Sequence, residues 1–223
     1  MHDAPLRIGL AQPAYVGIVI MRPRGEEQRG VLLLNVAETE ARIKFLPGYL
    51  SVSFFTDREG GIVAEYVRWE SEKDAGAAFA RPEFFEHLPI VHDMTDHSTV
   101  AFGTPVAIQS ADASSEFDFG ADNYAMTILR CDVEAVEATR VALTQWYGAL
   151  LGEKIRAIAI HVDAKAAQFG VLVAGSLADI PAPGLDTPGT VIVEHIGALR
   201  LYTSVTAGGD PAQALHYSMA AQS

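Results

Sequence analysis

The stretch of sequence that decides the fold is Phe45–Pro89, which reads FLPGYLSVSFFTDREGGIVAEYVRWESEKDAGAAFARPEFFEHLP. Two strand-like runs flank the polar loop 57–61, which ends in two glycines and is typical of a hairpin connection. The second run, Ile62 to Trp69, changes abruptly to helix-forming residues. Ser71 suits a helix N-cap, because acidic residues follow it in the first turn, where the helix dipole favours them. The stretch therefore predicts a β-hairpin followed by a helix.

The segments on either side extend this pattern into a complete unit. Upstream, Tyr15 to Met21 is an apolar, β-branched run that predicts a strand, and Glu26 to Phe45 has the apolar spacing of an amphipathic helix. Downstream, Thr99 to Ile108 predicts a fourth strand, in which Pro105 indicates an edge or a bulge. The order strand, helix, strand, strand, helix, strand is that of a ferredoxin-like unit.

The same order begins again after a small, acidic and polar stretch, Ser110 to Asp122. We therefore divide the chain into a first domain at 1–109, a linker at 110–122 and a degenerate second domain at 123–223. The elements predicted in the second domain are strands at 124–131, 155–162, 169–177 and 199–206 and a helix at 133–151.

The second domain departs from the first where its second helix is expected. Ala178 to Gly189 contains three prolines and two glycines, which a long helix does not tolerate. Thr190 to Ile196 fits either a short helix or an extra strand, and Asp210-Pro211 suits the start of a terminal helix.

A ferredoxin-like sheet covers one face with its helices and leaves the other face in need of a cover. Two units in one chain can cover each other. We therefore predict an α+β fold in which tandem ferredoxin-like units form an intramolecular α+β barrel, with the chain a monomer or a weak homodimer.

Composition limits the classes of partner. The chain of 223 residues is 49% hydrophobic and 20% charged, which is ordinary for a globular protein and argues against disorder. A net charge of -12 argues against nucleic acid or an anionic membrane as a partner. Cys131 is the single cysteine, no apolar run approaches the ~20 residues of a membrane span, and residues 1–5 lack the features of a signal peptide. We therefore expect a cytoplasmic protein.

The first domain resembles the antibiotic biosynthesis monooxygenase family. The residues that carry the resemblance are Pro47-Gly48-Tyr49-Leu50-Ser51, Tyr66, Trp69-Glu70-Ser71, Pro82-Glu83-Phe84 and His87-Leu88-Pro89. The resemblance implies a dimeric α+β barrel fold and a monooxygenase that oxidises an aromatic, polyketide-type phenol or anthrone to a quinone with dioxygen and without a cofactor.

The resemblance also locates a site on the strand 62–71, whose side chains alternate between two faces. It implies that the face with Glu65 and Trp69 lines a cavity between the sheet and the helices. Relatives that oxidise tricyclic polyketides have an asparagine at the position of Glu65 and a tyrosine at that of Ala75, so this chain matches only at Trp69. In an apolar pocket the pKa of Glu65 would rise, which suits a base near neutral pH.

The predicted site residues fall into two groups. The catalytic candidates are Glu65, Trp69 and His87. The substrate-binding candidates are Tyr15, Phe54, Val67, Phe79 and Phe84. No metal is predicted, because His92, Asp93, Asp96 and His97 lack a recognised ligand spacing, and haem chemistry lacks the histidine it would need near Ala75 to Phe79.

Two alternatives remain open. One is a polyketide cyclase or isomerase that uses the carboxylate as a base, and the other is a binding member of the fold without catalysis. A pocket lined by Trp69 and Glu65 would favour an enzyme, whereas a space closed by Phe54, Phe79 and Phe84 would favour a structural role. An ion pair with Arg42, or with the surroundings of Arg68, would also explain Glu65 without any catalysis.

Overall fold

The computed structural model describes residues 7–9, 14–114, 116–152, 154–177, 180–187 and 189–208. The elements of the first half are β1 (Arg7–Gly9), β2 (Tyr15–Pro23), α1 (Gln28–Ala41), β3 (Tyr49–Thr56), β4 (Val63–Trp69), α2 (Glu72–Phe79), α3 (Pro82–Phe85), α4 (Leu88–Asp93) and β5 (Thr95–Ser110). Those of the second half are β6 (Glu116–Asp118), β7 (Asn123–Arg130), α5 (Val136–Gly148), β8 (Ile155–Asp163), β9 (Gln168–Gly175) and β10 (Val191–Thr206).

The hairpin and the helix predicted from the central stretch are both present. The Asp57 carboxylate accepts hydrogen bonds from the backbone N–H of Gly61 at 3.4 Å and of Ile62 at 3.0 Å, which fixes the loop between β3 and β4. Gly60 in this loop has φ 86°, a conformation that glycine adopts at little cost. At the start of α2, the Ser71 hydroxyl accepts the N–H of Asp74 at 3.1 Å, as an N-cap does.

Eight strands form a closed barrel in the order β10-β3-β4-β2-β5-β8-β9-β7. Two 16-residue strands close it. The first part of β5 pairs with β2 of its own half and the last part pairs with β8. In the same way β10 pairs first with β7 and then with β3. The predicted intramolecular α+β barrel is confirmed, and it is built by an exchange of strand ends between the halves.

The bulge predicted at Pro105 lies where β5 passes from one half to the other. The pairing of β5 with β8 shifts register between Pro105 and Ala107. Just before the bulge, a Cβ on Gly103 would lie 2.5 Å from the backbone carbon of Val162, so only glycine allows the strands to approach this closely. Gly103 and Pro105 thus mark the crossing point.

Buried apolar residues form three clusters. One fills the barrel interior and includes Phe55, Tyr66 and Tyr124. The other two lie on the outer faces of the barrel, one under α1 and α2 in the first half and one under α5 in the second. The strand alternation predicted for β4 is therefore observed, since Tyr66 is in the interior cluster and Trp69 is in the outer one.

Several boundaries differ from those expected. The stretch expected to link the halves contains β6, which pairs with β1 in a separate two-stranded sheet. Thr190 to Ile196 proves to be strand from Val191 onward, because β10 is continuous from there to Thr206. The helix expected at 133–151 is a short 3-10 turn followed by α5, which ends at Gly148. Asp210-Pro211 lies outside the described residues, and the division of the chain into domains stays a prediction.

Candidate functional site

A cavity of about 530 Å³ lies between the outer face of the first sheet and the helices that cover it. Its wall comes from β2, β3, β4 and β5 on one side and from α1 and the region of α2 to α4 on the other. The lining residues are Val19, Met21, Asn35, Thr39, Ile43, Tyr49, Val52, Glu65, Val67, Trp69, Phe79, Phe84, His87, Leu88, Val91, His92, Thr95, Ser98, Val100 and Phe102. Most of these side chains are apolar, so the cavity suits an apolar ligand with few polar groups.

Six of the eight residues predicted from the sequence line this cavity, namely Glu65, Val67, Trp69, Phe79, Phe84 and His87. The other two are placed elsewhere. Tyr15 stacks on the ring of Phe102, with the ring centroids 5.9 Å apart, at the end of the sheet where it pairs with Trp69. Phe54 has no exposed surface and is part of the outer cluster of the first half. The three aromatic residues Phe54, Phe79 and Phe84 therefore do not close the space.

Glu65 lies in the middle of β4, hydrogen-bonded in register between Val19 of β2 and Phe54 of β3. Removal from bulk solvent raises the pKa of its carboxyl group to about 7. Within the described residues the carboxylate has no ion-pair partner: Arg42 pairs instead with Glu38 and Glu86. A carboxylate that is desolvated and unpaired near neutral pH is a suitable general base.

Trp69 forms an aromatic wall at the other end of the strand. Its ring meets Tyr49, Phe79 and Phe84 at centroid distances of 5.5, 6.1 and 6.4 Å, mostly edge to face. The side chain has no exposed surface, and no described residue pairs with the indole Nε1. Such packing fixes the indole in place and provides a rigid apolar surface beside the cavity.

His87 precedes α4 and is buried, with 6% of its surface exposed. Burial lowers its pKa, so the imidazole is neutral at pH 7, and its Nδ1 has no hydrogen-bond partner among the described residues. A neutral imidazole with an unused nitrogen can donate or accept one hydrogen bond, depending on its tautomer.

Among the polar lining residues that were not predicted from the sequence are Asn35 and Thr39 of α1. Both are buried, at 6% and 4% exposure, on the helix face that also buries Val31. Their spacing of four residues from Val31 was the available signal, because residues four apart share a helix face. The sequence pattern had instead assigned that face to apolar side chains.

A second polar group lies inside the barrel, away from the cavity. The Tyr66 hydroxyl and His161 Nε2 are 2.9 Å apart, and Arg68 is nearby with 5% exposure. Burial, with a further contribution from Arg68, lowers the pKa of His161 to about 3. Arg68 therefore faces the interior, on the side of the sheet opposite Glu65, and does not neutralise it.

Within the described residues, no group of three or more His, Cys, Asp or Glu side chains is placed to hold a metal ion. The described helices also include none that is both long and apolar enough to cross a membrane.

Comparison with known proteins supports the class of fold described above. No family model matches the sequence. The tetracenomycin-F1 monooxygenase of Streptomyces glaucescens is 37% identical over 63 residues, which are 28% of this chain and 56% of that protein. The chain thus spans about half the length of this curated relative.

Solved structures extend the likeness to nearly the whole chain. An anthrone oxidase-like protein is similar with a TM-score of 0.72 at 14% identity, over 92% of this chain and 98% of that one. A further structure, from Fusobacterium nucleatum, has a TM-score of 0.56 at 7% identity, over 89% and 96% of the two chains. At these identities the structures show the shared fold. Together with the sequence match, they confirm the resemblance of this chain to the antibiotic biosynthesis monooxygenase family.

Proposed function

We propose that this chain is a cofactor-independent oxidase of an aromatic, polyketide-type phenol or anthrone, with dioxygen as the oxidant. The observation that carries the proposal is Glu65, an unpaired carboxylate with a pKa of about 7, on the wall of an apolar cavity of about 530 Å³. The volume is within the usual range for small-molecule sites. The match to tetracenomycin-F1 monooxygenase supports an aromatic polyketide as the class of substrate.

The chemistry needs one base and a dry site. The Glu65 carboxylate removes a proton from the substrate, and the resulting delocalised anion gives one electron to dioxygen. The radical pair combines at the ring carbon to form a peroxide anion, which takes the proton back from Glu65 to become a hydroperoxide. Loss of water from the hydroperoxide leaves a carbonyl group. Overall, a ring CH₂ and O₂ become C=O and H₂O, so the substrate supplies every electron and no cofactor is required.

The protein contributes positioning and exclusion of water to this reaction. Val67 separates Glu65 from Trp69 on one strand face, so the two span about 13 Å at ~3.3 Å per residue. That span suits the edge of a fused-ring system, with the carboxylate at one end and the indole wall at the other. Apolar residues of β2 and β5 keep bulk water from the anion, which would otherwise be protonated again.

The presence of a carboxylate rather than an amide at residue 65 also favours a second candidate function. A base alone is sufficient for a cyclisation or isomerisation that begins with loss of a proton and consumes no oxygen. A protein that binds the same ligands without turnover is the third reading. Oxygen consumption separates the first reading from both of the others.

We further propose that the chain acts as a monomer or a weak homodimer. Its eight barrel strands are all paired within one chain, so a second chain is not needed to cover a sheet. Size-exclusion chromatography with light scattering would overturn this proposal if it showed an obligate dimer at nanomolar concentration.

The test of the function is an assay of 1,8-dihydroxyanthrone in air, which follows quinone absorbance and dioxygen uptake together. We expect Glu65→Gln to lower the turnover rate at least about 1,000-fold, within the range for loss of a general base. The matched control is Glu70→Gln, which changes an exposed carboxylate next to Trp69. Trp69→Phe should weaken binding and keep a measurable rate.

Turnover in Glu65→Gln equal to that of the parent would remove Glu65 as the base. Substrate consumption with no oxygen uptake would establish the cyclase or isomerase reading. Binding without any turnover of the phenol would establish the binding protein.

A further inference from the structure

Helix α1 presents two polar side chains to the cavity that the proposed chemistry leaves unused. Asn35 and Thr39 lie one turn apart on α1 and both line the cavity opposite the sheet. In this position a covering helix normally presents apolar residues to the sheet. Burial of polar groups is costly unless they are hydrogen-bonded, so their presence indicates a function.

These two groups make little use of their hydrogen-bonding capacity. The side-chain bond of Asn35 within the described residues runs from Nδ2 to the Met21 sulfur at 3.7 Å, and a thioether is a weak acceptor. The hydroxyl of Thr39 makes no hydrogen bond to the carbonyl oxygen four residues back on its helix within the described part of the chain. Thr144 of α5 does make this bond, donating to the carbonyl oxygen of Arg140 at 2.8 Å. The amide of Asn35 and the hydroxyl of Thr39 therefore line the cavity and remain available to donate hydrogen bonds to a ligand.

The contact of Asn35 with Met21 relates its position to that of Glu65 on β4. Met21, which Asn35 contacts, pairs with Val63 across β2 and β4. Val63 and Glu65 are two residues apart on the same strand face, about 7 Å at ~3.3 Å per residue. A ligand ring that reaches Glu65 on the sheet side would thus have Asn35 on its helix side.

The charges around these residues favour a neutral oxygen atom over an anion. His87, which also lines the cavity, is neutral because burial lowers its pKa, and the lining residues of the cavity include no lysine or arginine that could pair with an anion. A ketone or phenol oxygen can accept from the Asn35 amide and the Thr39 hydroxyl without bringing a second charge into the cavity.

We propose that Asn35 and Thr39 form a hydrogen-bonding subsite for a second, uncharged oxygen of the ligand, on the edge of the ring system that faces α1. The subsite makes the cavity selective for polycyclic ketones and phenols over hydrocarbons of the same shape. The identity of the first oxygen, the one whose proton Glu65 removes, rests on the proposed function, but the subsite itself does not require turnover.

The experiment uses two neutral tricyclic probes that differ by one carbonyl oxygen, 9-fluorenone and fluorene. Their dissociation constants are measured by tryptophan fluorescence at pH 8.5, where Glu65 is ionised and cannot donate a hydrogen bond to the ketone. The variants are Asn35→Leu and Thr39→Val, which keep the side-chain size, and Thr144→Val is the matched control on α5.

We expect the preference for fluorenone over fluorene to fall about tenfold in Asn35→Leu, several-fold in Thr39→Val and not at all in Thr144→Val. Affinity for fluorene itself should stay within about twofold, which separates a lost hydrogen bond from a damaged pocket. Thermal melts of each variant establish that it is folded, and either substitution alone is sufficient for the test.

An unchanged preference in both variants would overturn the subsite, even if the protein oxidises the anthrone. A lost preference would establish the subsite, even if no oxidation occurs and the proposed function fails. Failure of the parent protein to bind fluorenone would also overturn the subsite, while the anthrone assay would still decide the reaction.

Discussion

The helix-covered faces of the two sheets are built on one plan but filled differently. Helix α1 buries Val31, Asn35 and Thr39 at intervals of four residues, and α5 buries Thr139, Leu143 and Tyr147 at the same intervals. In the first half these positions leave a cavity. In the second half Leu143 and Tyr147, both without exposed surface, fill the corresponding space.

The strands show the same contrast. Glu65 pairs with Val19, the fifth residue of β2, and Val171 pairs with Thr127, the fifth residue of β7. By the same register Gly175 corresponds to Trp69. The second half therefore has a valine and a glycine where the first half has the proposed base and the aromatic wall.

The covers of the two faces differ as well. Three helices, α2 to α4, surround the cavity of the first half, whereas the proline-rich segment 180–187 takes their place in the second. Ile180 in that segment is fully buried in the outer cluster under α5. The second half is therefore closely packed under its helix, whereas the first half has a cavity with a few polar groups at the corresponding place.

The largest effect is expected when the cavity of the first half is filled with the residue types found at the corresponding positions of the second half. The triple variant Asn35→Leu, Thr39→Tyr and Glu65→Val should lose oxidation of the anthrone at least about 1,000-fold, because both the base and the space are removed. Its melting temperature should rise, since apolar side chains replace buried polar groups. Fluorenone binding as tight as that of the parent would show that the cavity is not the binding site.

The reverse change opens the second half. Tyr147→Ala should lower the free energy of unfolding by about 3–5 kcal/mol, because it leaves a cavity in a close-packed cluster. Val67→Ala, on the wall of the existing cavity, should cost less than about 1.5 kcal/mol, because its side chain is only partly packed. Urea titration measures both, and equal losses would contradict the difference in packing between the halves.

The titration of Glu65 should make the stability contributed by residue 65 depend on pH. Its counterpart in the second half, Val171, has no ionisable group and contributes no such dependence. The folded-state pKa of Glu65 is raised from 4.5 to about 7, so the folded protein binds this proton more tightly than the unfolded chain does. Its contribution to stability is full below pH 4.5 and is lost as the pH rises through 7. Relative to Glu65→Gln, the parent should lose up to about 3 kcal/mol of unfolding free energy between pH 4.5 and 8. A constant difference between the two proteins over this range would contradict a desolvated, unpaired carboxylate.

The smallest effect is expected from the surface charges near the cavity. Arg42→Ala removes ion pairs with Glu38 and Glu86 and should cost less than about 1 kcal/mol, because all three side chains are partly exposed. The pH–rate profile of oxidation should keep its midpoint near 7, since Arg42 is not paired with Glu65. A shift of that midpoint by one pH unit would instead indicate that Arg42 forms an ion pair with Glu65.

The features that could be predicted from the sequence are those set by local chemistry. The hairpin loop, the Ser71 cap and the opposite facing of Glu65 and Arg68 depend on neighbouring residues or on strand alternation. The barrel could be inferred from the repeated order of elements, because each sheet needs a cover.

The features that were missed depend on tertiary contacts. Periodicity places apolar residues of α1 against the sheet, but a cavity allows Asn35 and Thr39 to occupy that face. The sequence of Thr190 to Ile196 fitted either a short helix or a strand, and the pairing with β7 that makes it a strand is a contact with a distant part of the chain. Tyr15 and Phe54 stay predictions as substrate-binding residues; neither is among the lining residues of the cavity, and strand position does not specify how far along the sheet a cavity extends.

The exchange of strand ends has a consequence for how the protein folds. β10 pairs Thr206 with Ser51, and the Tyr49 hydroxyl donates to the carbonyl oxygen of Val205 at 2.9 Å, so the edge of the first sheet is completed by the last described strand. During synthesis β3 therefore has an open edge, with unpaired backbone donors and acceptors, until β10 has been made. The sheet of the first half cannot be completed before β10 of the second half is available, and such non-local pairing is slow to form. Ribosome-bound chains that end before β10 should accordingly expose the unpaired edge of β3. We therefore expect these chains to be more prone to aggregation through strand pairing than the folded protein.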